Sequence, residues 1–304
     1  IIAPWLDMSL PMEDLRGFSE QSREEQAQRL AMEEAGRPFD LAKGPLLRHR
    51  LFRLGEDEHL LSLTIHHIVA DGWSMHILSR ELGVLYETFL DGRPSPLLDL
   101  PIQYIDTIGH RRRGTQGNEW ERQLSYWRQH LDHAPHTLSL PVDFSRPEVQ
   151  GHRGARHNWT MEAEVVQRLR AIGHRYQATL FMTLLAAFQV LLYRHSGQSD
   201  FCVGTPVANR SRPEYESLIG CFVNTVALRA DLSGNPSFPE LLSRVRKAVL
   251  GAHANQDIPF EQLVDELRVP RDLGHTPLFQ VMFVLEESPS DVLTLRGLDV
   301  RRIK

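Results

Sequence analysis

The residues best suited to chemistry are two adjacent histidines in the run His66-His67-Ile68-Val69-Ala70-Asp71-Gly72. An imidazole titrates near working pH, so one held at a chain reversal can take up a proton or orient a nucleophile. The run needs a strand to deliver it and a helix to receive it. Upstream, Leu61, Leu63 and Ile65 alternate with Ser62 and Thr64, the period of a half-buried strand. Downstream, Met75, Leu78, Leu82, Leu85 and Phe89 recur at three- and four-residue steps, the stripe of an amphipathic helix. If strand alternation persists, His67 continues the apolar face and His66 points the other way.

Each residue also has a plainer reading. A histidine ending a strand is ordinarily a packing or surface residue. Asp71 has two open readings: a cap on the free N–H groups of the helix, or half of a buried ion pair bracing the histidine loop. Ser74 is an equally good cap. Gly72 suits a tight turn, and Trp73 reads as a packing anchor.

Composition bounds the rest. The chain has 304 residues, 41% hydrophobic and 24% charged, with a formal net charge of −5. Such a chain buries a large core and more naturally forms two compact units than one. The charge balance does not suggest a nucleic-acid surface, and Arg111, Arg112 and Arg113 read as a solvated basic loop. Cys202 and Cys221 lack paired ligand spacing and read as small buried residues of a reducing compartment, with no metal site and no disulfide framework. The apolar stretch 180–193 is too short to cross a bilayer and reads as a core helix. With no signal-like start, a cytoplasmic protein is expected. The opening Ile1 suggests a piece of something longer.

Several elements can be placed by pattern. Residues 11–36 read as mostly helical, followed by breaks at Pro38 and Gly44-Pro45 and a strand over 46–54. Gly55-Glu56-Asp57-Glu58 reads as a hairpin turn. The helix after Gly72 should stop at Asp91-Gly92-Arg93-Pro94. Trp120, Leu124, Trp127 and Leu131 mark another helix, and 135–154 reads as a linker. Beyond it, 159–170 suggests a strand running into a helix, and Thr179 caps a helix ending near Gly197. Strands are expected at 201–207 and 222–228, and a helix at 238–251. Pro259 suits the first turn of the next helix. The apolar run 278–285 reads as a strand buried on both faces.

With these segments in place, the chain resembles the condensation domains of nonribosomal peptide synthetases. Besides His66 to Ser74, the motifs occur in the family's order. They are Tyr104-Ile105-Asp106, then Pro206-Val207-Ala208-Asn209-Arg210, Ile219-Gly220-Cys221-Phe222-Val223-Asn224-Thr225 and Asn255-Gln256-Asp257-Ile258-Pro259-Phe260-Glu261. Arg271-Asp272 with Thr276-Pro277-Leu278-Phe279-Gln280 comes last. The ordered set spans nearly the whole chain. Ala70 stands where serine is common, and Gly274-His275 where Ser-Arg is usual. The family's opening strand and arginine-rich helix, and its final strand and helix, are not within 1–304. The expectation is therefore the middle of a domain.

The resemblance implies an α/β sandwich fold with two lobes, each similar to chloramphenicol acetyltransferase, set in a V around a tunnel. The lobes are expected at 1–138, carrying the histidine motif, and 139–304, both incomplete. It implies amide bond formation in secondary-metabolite or antibiotic biosynthesis, in bacteria. A donor and an acceptor peptidyl carrier protein each deliver a thioester on a 4′-phosphopantetheine arm, with an adenylation domain adjacent. No directly bound cofactor, nucleic acid or membrane is implied. His67 is the expected catalytic residue. His66, Asp71, Gly72 and Arg210 hold the site, with Arg210 as partner of Asp71 and the Gly72 N–H facing the developing oxyanion. Trp73, Ser74 and Asn224 are candidates to line the tunnel, although a strand-edge asparagine is more often structural. Gln256 and Asp257 read as a turn and helix start.

Three other functions compete. An epimerisation domain shares the double histidine, but the chain contains no Glu-Gly-His-Gly run. An acyltransferase using coenzyme A does not explain the later motifs. A non-catalytic platform that recruits a partner enzyme keeps the fold, but such relatives tend to lose the second histidine. Two L-configured substrates are the favoured pair.

Overall fold

A computed structural model describes residues 8–108, 117–151, 153–286 and 293–303. The cluster Arg111–Arg113 lies outside them. The described residues divide into two compact units. One draws on Ile1–Asp99, Ser217–Cys221 and Val292–Lys304, and the other on Leu100–Glu216 and Phe222–Asp291. Position 138/139 falls inside the second unit, whose core includes Leu138.

The first unit begins with β1 (Met12–Asp14) and α1 (Glu20–Gly36), followed by β2 (Leu47–Arg53) and β3 (His59–Ile65). Residues 11–36 are thus helical only from Glu20. The Glu, Gln, Arg and Ala content of α1 favours helix, and Pro38 forbids its extension. The sheet order is β1-β2-β3, with β1 parallel to β2 and β2 antiparallel to β3. The hairpin closes where the N–H groups of Leu54 and Gly55 both donate to the Glu58 carbonyl, at 2.8 and 3.0 Å.

Alternation along β3 is as expected, but the buried side is not. Leu61 and Leu63 remain 43% and 40% exposed, while Leu60 packs with Phe52, Leu54 and Ala27 of α1. The α1-facing row is partly polar because Arg48, opposite Thr64, forms an ion pair with Glu34 of α1 at 2.6 Å. An arginine stem can cover apolar surface while its head stays paired.

A 3₁₀ turn (His67–Val69) leads into α2 (Gly72–Leu90). The helix ends at Asp91, with Gly92 at φ 66°. Its buried line runs through Ser74, Ile77 and Thr88, whereas Met75 and Phe89 are exposed. The expected stripe is therefore rotated around the axis. Hydroxyls can occupy buried helix positions when they have partners; here Thr88 Oγ donates to the Val84 carbonyl at 2.8 Å.

The second unit contains α3 (Asn118–His130), α4 (Ala163–Arg175), α5 (Leu180–Ser196), β4 (Asp200–Val207), β5 (Asn224–Asp231), α6 (Phe238–His253) and α7 (Phe260–Glu266). Its core gathers Leu124, Trp127 and Leu131 of α3, Met182, Leu185 and Leu192 of α5, and the inward residues of β4, β5 and α6. Thr179 caps α5 by accepting from the Met182 N–H, and Gly197 ends it at φ 73°. Ser237 and Glu240 form a capping box on α6. α7 starts just after Pro259.

Three expectations change in this unit. Residues 159–162 form no strand before α4. The described residues of 135–154 lack regular structure but are tied down: the N–H groups of Leu138 and Ser139 donate to Gln280 and Gln198, and that of Gln150 to the Leu273 carbonyl. The run 278–285 forms only a single parallel bridge, Met282 beside Gly204 of β4. Met282 and Val284 are each 48% exposed, so that run is covered on one face only.

Candidate functional site

The turn between β3 and α2 fixes the two histidines differently. His66 is the N-cap of the 3₁₀ turn: its Nδ1 accepts from the Ile68 N–H at 3.1 Å, and its own N–H donates to the Leu46 carbonyl at 2.9 Å. Its ring meets the edge of Phe39 at 5.6 Å, and the Arg48 guanidinium lies 3.8 Å from the centre of that phenyl ring. Such contacts hold a ring in one rotamer. His66 is thus tied to the loop's own backbone and to Phe39. His67, already past the end of β3, is exposed. Strand parity therefore does not aim it; the 3₁₀ turn does. Its Nδ1 lies 3.7 Å from Cys221 Sγ.

Asp71 is 5% exposed and caps α2, accepting from the Ser74 N–H at 2.9 Å and from Ser74 Oγ at 2.7 Å. Ser74 is fully buried. Its hydroxyl also accepts from the Gly220 N–H at 3.0 Å and lies 2.8 Å from the Gly220 carbonyl. One hydroxyl proton serves both acceptors, and the charged Asp71 carboxylate is the stronger. The result is a closed circuit from the histidine loop through Asp71, Ser74 and Gly220 to Cys221 and back to His67.

Gly72 opens α2 but has no positive φ, and a Cβ there would meet nothing within 4 Å. The tight-turn reading does not hold, because the backbone is one that any residue adopts. Trp73 is 42% exposed and so is not a buried anchor.

In the second unit, three of the recognised motifs converge on Phe222. Arg210 lies over its ring at 4.2 Å, Tyr104 meets it edge-on at 5.1 Å, and Tyr215 packs against it at 5.5 Å. Arg210 also donates to the Tyr215 carbonyl. Asn224, 8% exposed, bridges β5 to the chain entering α7. Its Nδ2 donates to the Gln256 and Ile258 carbonyls at 2.7 Å each, and its Oδ1 accepts from the Phe260 N–H at 3.1 Å. Asn224 thus clamps three backbone groups, with both of its amide protons used. Asp257 is held by Gln123 of α3, whose amide both donates to it and accepts from it.

A cavity of about 220 Å³ opens beside β4 and β5, lined by Phe181, Val207, Leu228, Val249 and His253 among others. It contains none of the expected site residues. No group of histidine, cysteine and carboxylate ligands suited to a metal occurs among the described residues. No single described helix is long and apolar enough to cross a membrane.

Sequence reasoning missed Cys221. It treated Cys202 and Cys221 alike, and only Cys202 is buried. The available signal was the place of Cys221 inside the Ile219–Thr225 motif.

A family described as the condensation domain matches residues 1–300. Over 97% of its length the chain is 51% identical to a linear gramicidin synthase of Brevibacillus parabrevis, of which it spans 4%. It is 46% identical to phosphinothricin tripeptide synthetase PhsC of Streptomyces viridochromogenes, covering 94% of this chain and 26% of that protein. The chain thus spans a small part of these relatives. Among solved structures, the X-domain from teicoplanin biosynthesis superposes with a TM-score of 0.79 at 30% identity, over 90% of this chain and 60% of that one. The first condensation domain of the CDA synthetase superposes with a TM-score of 0.72 at 24% identity, over 97% and 64%. The mixed helix-and-strand architecture is the chloramphenicol acetyltransferase-like fold of these structures.

Proposed function

Since this chain belongs to the condensation-domain family of nonribosomal peptide synthetases, we propose that it joins an acceptor amine to a donor thioester. The observation that carries this reading is an exposed His67 on a loop whose other polar members are already engaged. His66 is spent on the Ile68 N–H, and Asp71 and Ser74 on each other and on Gly220. In His67, Nδ1 faces Cys221, and Nε2 is the ring nitrogen offered to a reactant.

The reaction balances without an oxidant or added cofactor. The amine nitrogen bonds to the thioester carbonyl carbon, a tetrahedral oxyanion forms, and the C–S bond breaks. A proton leaves the nitrogen and one ends on the departing phosphopantetheine thiol. A general base contributes about 10²–10⁴ in rate, while holding two tethered reactants in register contributes roughly 7–11 kcal/mol. Positioning is therefore the larger contribution. His67 acts on the amine or the tetrahedral intermediate, and the N–H of Gly72, an exposed residue at the start of α2, complements the oxyanion. Donor and acceptor peptidyl carrier proteins supply the arms, and an adenylation domain loads them. Two L-configured partners are the favoured substrates.

A second reading has an observation in its favour: the X-domain from teicoplanin biosynthesis is also described in complex with OxyB. A platform of that kind would bind a partner and turn nothing over. Loading both carriers of the intact synthetase and weighing the acceptor carrier by mass spectrometry separates the readings. The enzyme reading expects the acceptor to gain the donor acyl mass. Carrier binding with no mass gain would overturn it in favour of the platform.

A further inference from the structure

His67 has a neighbour whose chemistry the motif does not supply. Cys221 Sγ lies 3.7 Å from His67 Nδ1, a distance at which sulfur and imidazole share a hydrogen. Both backbone groups of the preceding residue, Gly220, rest on Ser74 Oγ, and Ser74 is bound to the Asp71 cap of α2. The histidine backbone is held from the other side, because His66 donates to Leu46 and the Ala70 N–H donates to the His67 carbonyl. Thiol and ring are therefore presented to each other by two anchored stretches of chain. Cys221 is half-buried, whereas Cys202 is buried within β4.

We propose that Cys221 is a positioning residue for the reacting imidazole: its thiol donates to Nδ1, keeps the neutral ring protonated on Nε2, and makes His67 a hydrogen-bond donor to the reactants. The direction of this bond follows from the partners. An imidazole lone pair is a good acceptor, and a thiol sulfur is a poor one, so S–H to Nδ1 satisfies the contact better than the reverse. The bond on one ring nitrogen decides which nitrogen carries the proton. Nε2–H, on the opposite edge of the exposed ring, then matches the negative charge that develops on the carbonyl oxygen. In this arrangement the neutral imidazole stabilises the tetrahedral intermediate and does not act as its base. The inference rests on His67 being the imidazole that meets the reactants.

The test has two arms. In the first, the full chain is labelled with ¹⁵N-histidine, and the His67 signals are identified by their loss in His67→Ala. The wild-type ring should carry its proton on Nε2. Cys221→Val should move the Nδ1 resonance downfield as the donated bond is lost, and Cys221→Ser should restore it. In the second arm, amide formation is followed in the intact synthetase. Cys221→Val should lower kcat about five- to tenfold with KM for the acceptor carrier nearly unchanged, and Cys221→Ser should recover most of that loss. A wild-type ring protonated on Nδ1, or a Cys221→Val variant with unchanged Nδ1 resonance and kcat, would overturn the proposal. Full turnover by His67→Ala alongside a shifted Nδ1 resonance in Cys221→Val would instead leave the contact standing and remove the function assigned to the ring.

Discussion

Replacing Ser74 by alanine cuts the histidine-loop circuit at its most buried point. The side chain is fully buried, and its oxygen serves the Gly220 N–H at 3.0 Å and Asp71 Oδ1 at 2.7 Å. Alanine leaves the buried Gly220 N–H without that partner, which costs about 1–3 kcal/mol. Asp71 also loses a bond to its charged carboxylate, worth about 1.5–3 kcal/mol. Alanine's higher helix propensity returns a few tenths of a kcal/mol. Both losses share one oxygen and do not add in full, so a net destabilisation of about 2–4 kcal/mol is expected. At roughly 2–4 °C per kcal/mol, calorimetry should show Tm falling by about 4–16 °C. Amide formation per folded molecule should fall as well, because Gly220 carries Cys221 to the His67 ring. A Tm within 1 °C of wild type would refute the circuit as a structural element.

Asp71→Asn should keep the helix cap but lose the charge, whereas Asp71→Ala should lose both and cost about 1–2 kcal/mol more in urea unfolding; equal costs would show that capping is not its role. The pairing of Asp71 with Arg210 is what the family resemblance implies. A double-mutant cycle with a coupling energy near zero would remove it. Asn224→Ala strands two carbonyls and the Phe260 N–H, so it should destabilise the protein by about 2–5 kcal/mol. A stable variant with altered substrate choice would return Asn224 to the passage lining. His130, stacked on Tyr126 and beside Arg229, is pushed down from 6.5 to about 4, chiefly by burial and then by the charges of Arg229 and Lys247. Between those values the unfolded chain binds the proton and the folded chain does not, so stability should fall as pH drops from about 6.5 to 4. His130→Phe should flatten that slope in pH-dependent melts, and an unchanged slope would contradict the burial argument.

Much of this arrangement could be read from the residues. The hairpin turn, the caps at Thr179 and Gly197, and the core face of α3 followed from turn chemistry and periodicity, because local backbone preferences and long-range packing agree there. The errors share a cause. Alternation in β3 showed two faces but not which one α1 covers, and the Arg48–Glu34 pair let the polar row turn inward. The stripe on α2 failed because Ser74 and Thr88 sit buried by virtue of their hydrogen bonds, which hydropathy does not register. For Asn224 the strand-edge structural reading was the favoured one, but its partners were not legible, because its three bonds are made to backbone groups remote in sequence. Cys221 was legible only as part of a motif. Its closeness to His67 spans 154 positions, and no spacing rule reaches that far. The family membership carried by the histidine motif was legible, because it lies in residue types and order, whereas the aim of His67 and the backbone at Gly72 were not, because the 3₁₀ turn sets them.

The most direct test of the account is single-turnover transfer in the intact synthetase, comparing wild type with His67→Ala and both carriers loaded. Because His67 is exposed, the substitution should leave Tm within about 1–2 °C. Amide formation should nevertheless fall by about 10²–10³, the cost of losing one hydrogen-bond donor to the oxyanion. A folded His67→Ala protein that transfers the donor acyl group at the wild-type rate would contradict the claim that this imidazole meets the reactants.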